Sequence, residues 1–330
     1  MYPKISFQEK IFVAGSKGMV GSAICRALQK KGYGQESKGG SILTPDREEL
    51  DLTNSNSVRD WFDKNKPTIT ILAAAKVGGI HANQTYPTDF LLNNLKIQNN
   101  VIESSWLSGV RRLLFLGSSC IYPKFANQPI KEEYLLNSSL EATNEWYAIA
   151  KIAGIKLCQA LRKQYQFDAI SLMPTNLYGP GDNYHPTESH VMAALISKFC
   201  LAKKQSKQYV NCWGTGTPLR EFLHVDDLAS AVLFCLEKWD PNDIDSPKDL
   251  NGEGLTYLNV GTGKDISIKD LADKISQIVG FQGEIIWDNS KPDGTPKKQL
   301  DIERISKLGW LPKISLDKGI KETVSLYMNK

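Results

Sequence analysis

The chain has 330 residues, with 40 basic and 36 acidic side chains, a formal charge of +4 and 41% hydrophobic residues. That length suits two domains, or one domain with an added lobe, around a core that needs no disulfide or metal staple, and so even a charge balance argues against a nucleic-acid partner. Cysteines 25, 120, 158, 200, 212 and 235 are scattered with no Cys-x-x-Cys pair, which argues against a metal site or redox dithiol and for a reducing compartment.

Met1 to Glu9 mixes charges and a proline and does not read as a signal peptide, and no stretch approaches the ~20 apolar residues of a membrane helix. A soluble, cytoplasmic protein is expected. Lys10 to Ala14 is short, apolar and β-branched, as a buried parallel strand should be. Gly15-Ser16-Lys17-Gly18-Met19-Val20-Gly21 follows at once, and Ser22 to Lys31 has helical periodicity. Glycines between a strand and a helix let backbone amides approach a pyrophosphate seated on the positive end of the helix, so this turn is a candidate dinucleotide site. The bland alternative is a tight turn.

Ser41 to Leu43 is the second strand, followed by Thr44-Pro45-Asp46-Arg47. A fold selective for NAD presents an acid at this strand end to hold the ribose 2′-hydroxyl. Thr44 stands there instead, with Lys17 and Arg47 near enough in sequence to meet a 2′-phosphate. This favours NADP(H), while Asp46 close by keeps NAD open. A helix over Ser55 to Asn65, a buried strand over Thr68 to Ala75, a long helix over Thr88 to Ser108 and a strand over Arg111 to Leu116 come next. The alanines at 73 to 75 suit either close approach of a nucleoside or plain helix–strand packing.

The fourth strand ends in Gly117-Ser118-Ser119-Cys120, and ligands of open α/β sheets lie at the carboxyl ends of the strands. Tyr147 and Lys151 stand four apart in the next helical stretch, which runs to about Gln164, so both project from one face. A phenol ordinarily titrates near ~10, and a cation one turn away is expected to lower that value. A serine hydroxyl to hold a carbonyl, a phenol to move its proton and a lysine beside the phenol suit hydride transfer with a nicotinamide. Singly, each is more often structural. A strand over Ala169 to Met173 leads into Pro174-Thr175-Asn176-Leu177-Tyr178-Gly179-Pro180.

Strand and helix have then alternated five times, which predicts an α/β, Rossmann-type, doubly wound parallel sheet with a smaller C-terminal α/β lobe. Residues 1–180, with returning segments near 222–240 and 256–264, form the expected cofactor domain; residues 181–221 and 265–330 form the expected substrate lobe. In the lobe, helices over Val191 to Lys203 and Ser267 to Gly280, a glycine-bearing turn over Asn211 to Thr217 and strands over Arg220 to Val225 and Glu284 to Trp287 are predicted. Between them, Asp226 to Lys238 reads as a helix, Trp239 to Gly254 as a surface loop and Tyr257 to Val260 as a strand.

The stretches AAAKVGGI (73–80), LGSSCIYPK (116–124), Asn144 to Cys158, PTNLYGP (174–180), Ser189-His190-Val191, WGTGTPLREFLHVDD (213–227) and KPDGTP (291–296) span nearly the whole chain. With them the chain resembles the extended short-chain dehydrogenase/reductases, and within these the nucleotide-sugar 3,5-epimerase/4-reductases. The resemblance implies NADPH-dependent 3,5-epimerisation and then 4-keto reduction of GDP-4-keto-6-deoxy-D-mannose. It implies Ser118, Cys120, Tyr147, Lys151 and His190 as catalytic residues, Cys120 as base and His190 as acid in epimerisation. A thiol near ~8.5 and an imidazole near ~6.5 bracket neutral pH. Cofactor contacts are implied at residues 15–21, Arg47, Asp51, Leu52, Leu116 to Ser119, Tyr147, Lys151, Pro174 to Leu177 and His190, and substrate contacts at Lys198, Trp213, Arg220 and Asp293. Lys198 and Lys17 stand where arginine is more usual, which keeps a charge but loses the bidentate fork. A homodimer through Thr88–Ser108 and Glu145–Gln164 is implied, and no metal. Another NAD-dependent nucleotide-sugar epimerase or dehydratase, or a catalytically silent NADP-binding protein, are the competing readings; the retained tyrosine and lysine speak against the second.

Overall fold

The structure is a computed structural model that describes residues 4–186, 188–291 and 293–329. Residues 1–3 of the N-terminal stretch and Pro292 of the KPDGTP stretch lie outside the described residues. In chain order the elements are β1 (Lys10–Ala14), α1 (Met19–Lys31), β2 (Ser41–Leu43), α2 (Ser55–Asn65), β3 (Ile69–Leu72), α3 (Ile80–Thr85), α4 (Pro87–Leu107), β4 (Arg112–Leu116), α5 (Glu145–Tyr165), β5 (Ala169–Pro174), β6 (Asn176–Tyr178), α6 (Val191–Lys204), β7 (Tyr209–Trp213), β8 (Leu219–His224), α7 (Val225–Lys238), β9 (Tyr257–Val260), β10 (Asp265–Ser267), α8 (Ile268–Val279), β11 (Glu284–Asp288), β12 (Lys297–Lys298), α9 (Glu303–Leu308) and α10 (Leu316–Met328).

β1, β3, β4, β5 and β9 are mostly apolar and, Lys10 apart, buried throughout. Such strands are stable only inside a parallel sheet covered on both faces. They form one, in the order β2-β1-β3-β4-β5-β9, with every pairing parallel. Each fully buried Phe, Leu or Ile side chain along them contributes about 1.5–3 kcal/mol. The strand order reverses between β1 and β3, so a crevice opens beyond their carboxyl ends. The expected doubly wound fold is the one observed.

β8 belongs to a second, four-stranded sheet, flanked by β10 antiparallel and by β12 and β6 parallel, while β7 and β11 pair separately. Two buried apolar clusters result. One surrounds the large sheet and also takes in Leu300, Ile305 and Trp310 from the C-terminal part of the chain. The other gathers α6, α8, α10 and β7.

Four expectations need correction. The strand placed over Thr68 to Ala75 ends at Leu72, because only Ala73 N–H still reaches Ala14 across the ladder before the chain turns toward Gly79. The turn placed over Asn211 to Thr217 begins as strand β7, whose residues alternate exposed and buried through Trp213. β6 pairs with β8 where only a strand-end loop was expected. A short helix, α3, precedes the long one.

Candidate active site

Gly15 and Gly21 build the turn after β1. Gly15 has φ +84°, and a Cβ on it would lie 2.8 Å from the Ala74 backbone. A Cβ on Gly21 would lie 2.1 Å from the Gly15 carbonyl oxygen. The alanines after β3 and the glycines after β1 therefore close on one another at the strand-order switch. α1 starts at Met19 with no side-chain cap and no acid in its first turn, and the buried Ser16 hydroxyl has no protein partner. Orphan amides, an uncompensated helix end and a free hydroxyl are what a pyrophosphate requires. Lys17 and Arg47 are exposed, and among the described residues neither is in an ion pair. Asp46 Oδ1 accepts from the amides of Glu48 and Glu49 at 3.0 and 2.9 Å, so that carboxylate braces its own turn. Asp51 does likewise, accepting from Thr53 N and Oγ1 at 3.0 and 2.8 Å, and Leu52 offers its carbonyl to Asn100. The residues present fit NADP(H), with Lys17 and Arg47 left for a 2′-phosphate.

β4 delivers Leu116 to the same edge, and Gly117 follows because a Cβ there would sit 2.4 Å from Met173 Sδ. Ser118 then caps a short 3₁₀ turn over Ser119 to Ile121, its hydroxyl accepting from Cys120 N at 3.2 Å. That hydroxyl also bonds Tyr147, in the first turn of α5. Gly154 lets α5 lie against the Phe115 ring, and Gln98 of α4 holds the Ala150 carbonyl at 2.6 Å. Lys151, 4% exposed, donates to the Leu116 carbonyl at 2.8 Å and lies over the rings of Phe115 and Tyr147 at 4.8 and 5.8 Å.

The expected lowering of the phenol does not occur. Burial and then the Cys120 charge push the Tyr147 phenol above its ordinary value against the Ser118 hydrogen bond, and burial pushes the Lys151 ammonium down to about 7. Lysine cannot stabilise a phenolate while its own charge is disfavoured and turned toward a carbonyl. Tyr147 thereby keeps its phenolic proton.

Pro174 ends β5, and Thr175 and Asn176 donate to the Glu221 carbonyl at 3.2 and 2.8 Å, joining β5 and β6 to β8 at the crevice, with Leu177 next along β6. His190 stands at the start of α6. Its loop is pinned by Gly79 N to the Glu188 carbonyl at 3.0 Å, and a Cβ on Gly79 would meet the Ser189 carbonyl at 2.8 Å. Crowding of the ring by protein, then the Lys298 charge, holds the His190 imidazole below its usual value, although the residue opens to the cleft.

Lys298 was not singled out by sequence. Its Nζ lies 3.6 Å from Cys120 Sγ. It arrives through β12, paired with β8, and Leu300 is fixed by donating its amide to Glu221 Oε2 at 2.8 Å. Glu221 is fully buried and accepts as well from the amides of Thr262 and Gly263. Nothing local in the sequence marks Lys298; its signal lies in the β8–β12 pairing.

The substrate candidates fall into two groups. Lys198 donates to the Asn211 carbonyl at 2.9 Å and lies 5.3 Å from the Trp213 ring centroid, with Lys291 at 5.7 Å and the indole 49% exposed. An open aromatic face between two cations suits a base or sugar carrying phosphate. Asp293 instead braces the 214–217 turn, accepting from Thr215 N and Oγ1 at 2.8 and 2.9 Å. Arg220 donates to the carbonyls of Leu219 and Asp293 at 2.9 and 3.2 Å, and the charge of Cys120 reaches its guanidinium, so it links the Asp293 turn to the Cys120 side of the site.

A dinucleotide cradle beside a serine, a tyrosine and a lysine at adjoining strand ends defines a nicotinamide-dependent enzyme of the dehydrogenase–epimerase class. The chain belongs to the NAD dependent epimerase/dehydratase family, whose model matches residues 11–251. It is 54% identical to GDP-L-fucose synthase 1 of Arabidopsis thaliana, over 97% of this chain and 93% of that protein. It is 47% identical to GDP-L-fucose synthase of Escherichia coli K12, over 97% of each. Among solved structures it is similar to a GDP-6-OMe-4-keto-L-xylo-heptose reductase from C. jejuni, with TM-score 0.90, 35% identity and coverage of 98% and 99%. It is also similar to the NADP-bound GDP-L-fucose synthetase of Naegleria fowleri, with TM-score 0.83, 25% identity and coverage of 99% and 97%. Among the described residues no helix is long and apolar enough to cross a membrane.

Proposed function

We propose that the chain is an NADPH-dependent GDP-L-fucose synthase, which epimerises GDP-4-keto-6-deoxy-D-mannose at C3 and C5 and then reduces the C4 ketone. One observation carries the double activity. Ser118, which bonds Tyr147, and Cys120, which faces Lys298, sit on one 3₁₀ turn. A ketone reductase needs the serine and tyrosine; a thiol paired with a cation on the same turn adds a base. The identities of 47% and 54% to GDP-L-fucose synthases support the substrate.

The C3 and C5 hydrogens are acidic because the carbanion delocalises onto the C4 ketone. The Cys120 thiolate, held by Lys298, takes the proton from one face and the His190 imidazolium returns one to the other. When bound, NADPH supplies hydride to C4. Ser118 holds the carbonyl oxygen and Tyr147, kept protonated by its burial, donates to it. Lys17 and Arg47 take the 2′-phosphate, the 15–21 turn takes the pyrophosphate, and Lys198, Trp213 and Arg220 receive the nucleoside diphosphate. Residues 1–180 and the returning segments carry the cofactor, and 181–221 with 265–330 the substrate, apart from Leu300, Ile305 and Trp310, which pack in the cofactor core. A cytoplasmic homodimer is the assembly we infer; the apolar Leu92, Leu107, Trp146 and Ile149, exposed along α4 and α5, support the dimer.

The test is incubation with the keto sugar and NADPH in heavy water. GDP-L-fucose carrying deuterium at C3 and C5 is expected, and reduction without deuterium uptake would refute the reading. Cys120→Ser should still reduce the ketone but lose wash-in by about 10²-fold or more.

A further inference from the structure

Two epimerisations by one base and one acid raise a proton problem. When C3 inverts, a C–H bond breaks and an S–H bond forms on Cys120, while an N–H bond of His190 breaks and a C–H bond forms on the opposite face. The sugar keeps its proton count, Cys120 holds one proton too many, and His190 one too few. C5 cannot follow by the same pair until Cys120 sheds its proton and His190 gains one.

Beside Cys120 lies a small, partly open cavity, lined among others by Cys120, Glu141, Asn144, Thr295 and Lys298. It leaves the centre of a water molecule about 10 Å³, which is close to the least that holds one water. The lining is mixed: Tyr122, Pro123 and Ile130 close one part of it, and Cys120, Glu141, Asn144, Thr295 and Lys298 supply the polar groups that a water needs. Glu141 is 6% exposed, and the buried Asn144 Oδ1 has no protein partner. Glu141 pairs with Lys124 at 2.9 Å, and the Lys124 side chain is one-third exposed, so the line from Cys120 through the cavity to Glu141 and Lys124 runs from the reacting thiol to solvent. Asn144 and Glu141 stand just ahead of α5, so the segment leading into the helix that carries Tyr147 walls this cavity.

We propose that this cavity holds one water molecule and that Glu141 and Asn144 form a proton-return path that resets Cys120 between the two epimerisations. The Cys120 S–H proton passes to the water, the water passes one to the Glu141 carboxylate, and Glu141 releases it to bulk solvent beside Lys124; His190, open to the cleft, takes its replacement proton from solvent. No oxidant or other reactant is involved. Glu141 and Asn144 touch neither hydride nor ketone, and they act through Cys120. The inference rests on the function proposed above.

The test is the product distribution of Glu141→Gln and of the near-isosteric Asn144→Leu, each given NADPH and the keto sugar, with NADPH affinity measured as the check of fold. A blocked return path lets the first inversion proceed and delays the second, so reduced sugar inverted at only one carbon should rise on the order of tenfold. In Glu141→Ala, formate added to fill the vacated carboxyl space should restore the doubly inverted product. A distribution equal to wild type in both variants overturns the proposal. So does a uniform loss of both inversions that formate leaves unchanged, since that marks a structural role. If wild-type protein makes no doubly inverted product, the proposed function fails along with the relay; if it does and the variants match it, the relay alone fails.

Discussion

Replacing Lys151 by methionine should make the protein more stable at neutral pH while nearly abolishing reduction. The ammonium is 4% exposed, has a single carbonyl partner at 2.8 Å, and is pushed by burial from 10.5 to about 7. At about 1.36 kcal/mol per pH unit, that displacement is a penalty on the order of 5 kcal/mol for the charged form. Leaving the buried Leu116 carbonyl unpaired gives back about 1–3 kcal/mol, and imperfect packing of the thioether about 1 kcal/mol, which leaves a gain of about 1–3 kcal/mol. The folded-state value lies below the unfolded one, so between pH 7 and 10.5 the unfolded chain binds more protons and wild-type stability rises with pH. The advantage of the variant is therefore full at and below pH 7 and fades toward pH 10.5. Urea unfolding followed by tryptophan fluorescence at several pH values measures both midpoints. A variant less stable than wild type at pH 7, or a gap that does not change with pH, would refute the reasoning. Hydride transfer should fall by about 10²-fold or more in the same protein, because Lys151 is one of the implied cofactor contacts and its loss misplaces the nicotinamide beside Tyr147.

Glu221→Gln should destabilise by roughly 2–4 kcal/mol in the same urea assay, because the amide turns an N–H toward backbone donors that now share a carboxylate; it should also slow deuterium wash-in more than hydride transfer, since Leu300 fixes the strand that carries Lys298. Crowding by protein, then the Lys298 charge, holds the His190 imidazole below its ordinary value, so the imidazolium that acts as the acid is the disfavoured form at neutral pH. His190→Asn should lose wash-in by about 10²-fold or more while hydride transfer persists, and an unchanged wash-in would exclude His190 as the acid.

Much of the large parallel sheet and its helices was legible because its signals are local. β1, β2, α2 and β9 fall where the apolar runs end, and the glycine turn is a steric necessity between Gly15, Gly21 and Ala74. β7 carried a readable alternation as well, but the glycines at 214 and 216 drew the reading toward a turn. What failed to show was anything created by burial or by long-range pairing. Four-residue spacing brings Lys151 under Tyr147 as expected, yet the sign of the effect depends on how much protein surrounds both groups. A sequence gives the first and not the second.

The epimerase half shows the same division more sharply. Cys120 is visible beside Ser118, but its cation is 178 positions away and reaches it only because β12 pairs with β8 and Glu221 ties Leu300 to that strand. The residues proposed for reduction lie at the end of β4 and within α5, inside one stretch of the chain, whereas the thiol's surroundings come from β12, which β8 holds, and from the segment before α5. Substitutions in those distant pieces should therefore change inversion before they change hydride transfer. That separation is what one turn carrying both Ser118 and Cys120 permits: the two chemistries share a wall of the site while their supporting residues come from different parts of the fold.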